Sequence, residues 1–157
     1  MTGSPLEQAE ELFMQAYELD EYHLQIPLLE QVIRIADSIN HLELAMEARL
    51  EYITATIFSG SLDRGFTAFI WCVTQYDKEP ERYSDFELSI FWAYKIILHN
   101  IHEFPDLSLD RAEKMLDQMF HFYQRSGYSV RPYYYLRCLF YLNTGQREKA
   151  VESFEKV

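Results

Sequence analysis

The sequence predicts an all-α protein of about eight helices. Glycine and proline number only five each in 157 residues, about half the usual share, which is too few for the frequent turns of an all-β fold. Apolar residues recur at i, i+3 and i+4 along nearly the whole chain, the spacing of one helix face. Breaks fall at short intervals, so that helices of roughly 12 to 20 residues are separated by short joints.

The first helix opens after Ser4-Pro5, a capping residue followed by a proline suited to a first turn, and carries the stripe Leu6, Ala9, Leu12, Phe13, Ala16, Tyr17. A second stripe is Ile26, Leu29, Val32, Ile33, Ala36. Its start is expected near Pro27, because proline deeper in a helix removes a hydrogen bond. Leu42 to Phe58 forms a third helix ended by Ser59-Gly60, and Leu62 to about Tyr76 a fourth that stops before Pro80. Ser84-Asp85 with Glu87 resembles a capping box before a fifth helix running to about Glu103 and ending at Phe104-Pro105. Ser108 caps the sixth, with Asp110 and Glu113 near the positive end of its dipole, and Gly127 ends it. The seventh runs from about Val130 to Asn143, and the eighth from Gln146 to Val157.

Apolar residues at 48 % and charged residues at 25 % are those of a folded chain. Fourteen basic against 25 acidic residues give a net charge of −11. Such a chain repels phosphate backbones and anionic headgroups, so neither nucleic acid nor membrane is an expected partner. The most apolar stretch, Ile90 to Ile101, is interrupted by Lys95, His99 and Asn100 and is far shorter than a bilayer requires. The N-terminus has no basic start before an apolar run, and a cytoplasmic location is expected. Cys72 and Cys138 sit in apolar surroundings and read as buried reduced thiols rather than a redox pair.

Helices three to eight share a repeat. Ser61-Leu62-Asp63-Arg64-Gly65 returns 47 positions later as Ser108-Leu109-Asp110-Arg111-Ala112. Gly60, Gly65, Phe69 and Cys72 are spaced by five, four and three residues, and so are Gly145, Ala150, Phe154 and Val157. The first glycine turns the chain between two helices. The small residue lets the second helix approach the first, and the phenylalanine fills the groove beside it. This spacing fits a two-helix repeat of roughly forty residues.

With these residues in register, the chain resembles a tetratricopeptide repeat (TPR) protein. Residues 130–157 match best, with Tyr134, Cys138, Tyr141, Gly145, Ala150, Phe154 and Val157 at motif positions, and Arg137 where leucine is usual. Helices three and four match at Gly60, Gly65 and Phe69 but carry Arg49 and Thr56 where aromatics are usual. A third unit places Trp92 at the first motif position and, after the insertion Phe104 to Leu107, brings Ala112, Leu116 and Met119 into step. Residues 1–40 share only the generic spacing of Leu29, Ile33 and Ala36. The resemblance implies a right-handed solenoid of antiparallel helix pairs whose first helices line a concave protein- or peptide-binding groove. It implies that residues 1–157 are one helical-repeat domain, the N-terminal part of a longer array. It also places Phe69, Trp92, Tyr141, Ala150 and Phe154 in the core. Val151, Phe154 and Val157 share one face of the last helix, and self-association through that face is expected.

Catalytic chemistry finds little support. His99, His102 and Glu103 lack the order of a zinc-protease helix and an evident third ligand, and read as histidines beside a helix C-terminus. Asp63, Asp85, Asp106 and Asp110 lie where helix capping accounts for them. No glycine-rich phosphate loop or nucleophile elbow is present. The cluster Tyr128, Tyr133, Tyr134 and Tyr135, with Arg131 and Arg137, could clasp a peptide. Successive helical residues point about 100° apart; the motif assigns Tyr134 to the core and Tyr135 to the ligand side.

The expected function is therefore a non-catalytic protein-protein or peptide-binding scaffold without cofactor or metal. Projected from the motif, its groove is lined by Glu51, Thr54, Phe58, Tyr94, Asn100, Tyr135 and Asn143. An acidic, aromatic groove suits a basic or amphipathic ligand. The alternative is a peptide-sensing regulatory domain of a larger protein; a helical enzyme or metal-binding protein ranks below both.

Overall fold

Several helix ends set by local chemistry fall where the sequence puts them. The computed structural model describes residues 3–104 and 106–157, with His102 described in its backbone only. Among these, eight α-helices occur: α1 (Pro5–Tyr17), α2 (Tyr22–Ser38), α3 (Leu42–Phe58), α4 (Leu62–Lys78), α5 (Glu87–His99), α6 (Leu109–Ser126), α7 (Arg131–Asn143) and α8 (Arg147–Phe154). No strand occurs among the described residues, and none of their helices is long and apolar enough to cross a membrane. Ser4 and Glu7 close a reciprocal capping box on α1. The Ser108 hydroxyl accepts from the Arg111 N–H at 3.2 Å at the start of α6. Gly60 and Gly145, with φ of 80° and 76°, end α3 and α7 in the left-handed region. Beyond them the N–H of Ser61 and of Gln146 each donate back to the carbonyls of Thr56 and Tyr141 at 2.8 Å.

Several boundaries differ from expectation. The second helix begins at Tyr22, so Pro27 lies inside it. Pro27 is on the exposed face, and the carbonyl it leaves unbonded belongs to exposed His23, where water can serve it. No capping box forms at Ser84; Ser84–Phe86 is a short 3-10 turn leading into α5. The fifth helix ends at His99, and Ile101–Glu103 forms a separate 3-10 turn. The side-chain amide of Asn100 donates to the Ile96 carbonyl at 2.9 Å, closing that end. Pro105, expected as the stop, lies outside the described residues.

The chain divides into two compact units, residues 1–90 and 91–157. In the first, α1 packs on α2, α2 on α3 and α3 on α4. Ala9, Leu12 and Phe13 of α1, Val32 and Ala36 of α2, and Leu44, Ala45 and Ala48 of α3 form one buried cluster. α3 lies between two neighbours and buries nine of its seventeen residues, so apolar side chains occur on more than one of its sides. Phe69, at 1 % exposure, is core as expected.

In the second unit α6 packs on α7 and α7 on α8. Aromatic contacts dominate it: Phe91 stacks on Tyr123 with centroids 4.4 Å apart, Tyr94 meets Phe122 at 5.4 Å, and Phe120 meets Tyr133 at 4.9 Å. Ala112, Leu116, Met119, Tyr141 and Ala150 are buried at their expected positions. Three expectations are overturned. Trp92 is not core but 53 % exposed, Phe154 is 67 % exposed, and of the three successive tyrosines on α7 it is Tyr133, not the half-buried Tyr134, that is buried. Cys72 and Cys138 are buried free thiols, and burial pushes the Cys72 pKa up to about 12.

Candidate functional site

α5 is apolar on more than one side, and its register decides which aromatic meets solvent. Ile90, Ala93, Tyr94, Ile97 and Leu98 follow i, i+3, i+4, i+7 and i+8, and all are buried. That stripe turns Leu88, Trp92 and His99 outward. Tyr94 and Trp92 thus exchange the places projected for them: Tyr94 is 1 % exposed against Phe122, and Trp92 stands at the surface. The Lys95 ammonium lies 4.6 Å from the Trp92 ring centroid, a cation over an aromatic face.

α7 supplies the facing wall. Tyr133, Leu136 and Phe140 point inward, and Tyr135, two residues past Tyr133, is left 53 % exposed. Between the second half of α5 and the first turns of α7 lies an open groove of about 670 Å³. Trp92, Lys95, Ile96, His99 and Asn100 line one side, Ser129, Arg131, Pro132, Tyr135 and Leu136 the other, and Val157 also borders it. The lining is apolar with cations at its edge, and no acidic side chain belongs to it. The Arg131 N–H is satisfied by the Ser129 hydroxyl at 3.3 Å, and Pro132 brings no N–H to the first turn of α7.

Of the seven projected groove residues, Asn100 and Tyr135 meet in this groove. Asn143, at the far end of α7, is exposed but does not line it. Glu51, Thr54 and Phe58 belong to the first unit, where they share a face of α3. Phe58 is exposed and stacks on Tyr22 with centroids 5.1 Å apart. The Thr54 hydroxyl donates to the Leu50 carbonyl at 3.3 Å. Glu51 accepts a hydrogen bond from the Tyr17 hydroxyl, and burial, followed by the nearby Glu47 carboxylate, raises its pKa above the ordinary carboxylate range. This face is acidic and aromatic.

A second depression in the first unit, of about 430 Å³, lies on α2, α3 and α4. Arg49 grips Asp37 with both terminal nitrogens, at 2.9 and 2.7 Å, and its guanidinium lies 3.9 Å from the Trp71 ring centroid. Glu30 accepts from the Tyr52 hydroxyl at 3.0 Å and pairs with Arg64 at 3.7 Å. These charges are used to hold helices together. Among the described residues no group of three His, Cys, Asp or Glu side chains could hold a metal ion; the His102 side chain lies outside them.

Trp92, Lys95, His99 and Arg131 were absent from the projected groove, since the motif register sent Trp92 inward. The signal that finds Trp92 is the 3–4 spacing of Ile90, Ala93, Tyr94, Ile97 and Leu98. Comparison of this chain with family models, with curated proteins and with solved structures finds no significant match.

Proposed function

We propose that this chain is a non-catalytic module that binds proteins or peptides on the faces of TPR-like antiparallel helix pairs. The observation that carries this reading is the pairing of two half-exposed aromatics, Trp92 and Tyr135, across an apolar groove of about 670 Å³. Large aromatic side chains at the surface lose little entropy on binding and are typical anchors. An open groove of this size takes several side chains of an extended or helical segment. The turns at Gly60 and Gly145 and the small residues Gly65 and Ala150 support the two-helix repeat. The acidic, aromatic face of Tyr17, Glu47, Glu51 and Phe58 supports a second contact, with a basic or amphipathic segment.

Panning a displayed library of random peptides against the purified chain tests this. Enriched peptides should bind the wild-type chain and lose about tenfold or more in affinity to W92A Y135A, each truncation removing an anchor worth at least about 1 kcal/mol, with the melting temperature unchanged. Failure to enrich any peptide, or equal binding to the double variant, would contradict it.

A further inference from the structure

The charges around the α5–α7 groove have one sign in a chain whose net charge has the other. Lys95 stands on the α5 wall, held over the Trp92 ring, and Arg131 stands at the first turn of α7. Neither has a carboxylate partner among the described residues, and no acidic residue lines the groove. Elsewhere, Arg49, Arg64, Arg82 and Lys149 are each paired with a carboxylate. Among the described residues Arg34, Lys78, Lys114 and Arg147 are not, and what marks Lys95 and Arg131 is that they share one apolar groove. With 25 acidic residues in the chain, two uncompensated cations on the rim of one apolar groove make a local field opposed to the rest of the molecule.

We propose that the α5–α7 groove receives an acidic segment of a partner protein, with aromatic or aliphatic side chains seated on the floor and carboxylates at the rim. The proposal rests on the peptide-binding reading and fixes the ligand's sign of charge. The apolar anchors pack against Trp92, Tyr135 and Leu136. One carboxylate meets the Lys95 ammonium and another the Arg131 guanidinium. Arg131 suits a two-pronged contact, and it stands at a helix start, where the backbone dipole also favours an anion. A basic segment would set like charges across the groove, whereas a neutral one would leave the cations without partners. This selectivity is opposite to that of the acidic face around Glu47 and Glu51 in the first unit, so the two units take segments of opposite charge.

Three capped, fluorescein-labelled peptides test this: one alternating Glu with Leu and Phe, and its counterparts with Gln or Lys in place of every Glu. Fluorescence anisotropy is read at low and at physiological salt. The Glu peptide should bind about tenfold or more tightly than the Gln peptide and weaken with salt, since the rim contacts are exposed and screened. K95Q R131Q should lose that advantage while its affinity for the Gln peptide stays within about twofold, because the apolar floor is intact. W92A Y135A should lose both. Tighter binding of the Gln peptide, or tighter binding of the Lys peptide that W92A Y135A abolishes, overturns the acidic assignment and leaves the peptide-binding reading standing. Failure of all three peptides to bind overturns both. Sedimentation of the chain alone supplies the remaining outcome: self-association abolished by K95Q R131Q would make a second copy the occupant and overturn the partner assignment. Circular dichroism melts confirm that each variant is folded.

Discussion

Gly65 of α4 lies so close to Thr56 of α3 that a methyl group on Gly65 would overlap the Thr56 hydroxyl. That hydroxyl is fixed, because it donates to the Ile53 carbonyl at 2.9 Å within a fully buried site. The two helices therefore approach to a distance that only glycine allows. At the corresponding step of the last helix pair stands Ala150, buried at 1 % exposure, so that pair accommodates the methyl group.

Gly65→Ala should destabilise the protein although alanine is the better helix former by about 1 kcal/mol. Overlap in a packed interior costs about 1–3 kcal/mol, so a net loss of up to about 2 kcal/mol is expected in denaturant unfolding. Thr56→Ala removes the obstructing hydroxyl. The double variant should therefore lose less than the sum of the singles, with a coupling of about 1 kcal/mol.

Arg49 of α3 is held between Asp37 of α2 and the Trp71 ring of α4. Arg49→Lys keeps the charge and forfeits both the two-pronged bond and the planar stacking. A loss of about 1–2 kcal/mol is expected, because the arginine side chain is only 12 % exposed. A thermal or denaturant melt equal to wild type would show that the clamp contributes nothing.

Glu51 gives a pH dependence with a definite sign. Its folded pKa lies above the unfolded value of about 4.5. Between those two values the folded state holds more protons, so stability falls as pH rises through that window. Glu51→Gln keeps an acceptor for the Tyr17 hydroxyl and removes the charge facing Glu47. The variant should be more stable than wild type at neutral pH, by about 0.5 kcal/mol given partial exposure to water. The advantage should fade below the ordinary carboxylate range. Melts at neutral pH and at a pH below the ordinary carboxylate range check this, and a variant less stable at neutral pH would contradict it.

Features decided within a few residues were legible in the sequence. Ser4 with Glu7, Ser108, Gly60 and Gly127 mark helix ends because a cap or a left-handed turn is a local event. Pro27 misled because the start of α2 lies five residues earlier, and a proline on its solvent face breaks a bond that water replaces. The site was legible in part. Asn100 and Tyr135 were placed at the groove, but Trp92 and Tyr94 were interchanged. An apolar helix satisfies several registers, and its packed stripe decides among them.

The matching steps Phe69 and Phe154 should differ sharply in energetic weight. Phe69→Ala should cost about 3–5 kcal/mol, as removal of a fully buried ring does. Phe154→Ala should change stability by less than about 0.5 kcal/mol, because the ring stands 67 % exposed. The exposed strip of Val151, Phe154 and Val157 should instead affect association. Phe154→Ser should reduce self-association in sedimentation without lowering the unfolding midpoint.

The two tryptophans offer the most direct test of the binding groove. Trp92 borders the groove on α5, whereas Trp71 lies beneath the Arg49 guanidinium in the first unit. Each contributes one indole N–H signal to a proton–nitrogen correlation spectrum, assigned by substituting either ring. Titration with a peptide selected by panning should shift the Trp92 signal progressively to saturation and leave the Trp71 signal in place. Saturable binding that moves Trp71 while Trp92 stays fixed, or that moves neither, would contradict the assignment of the α5–α7 groove as the binding site.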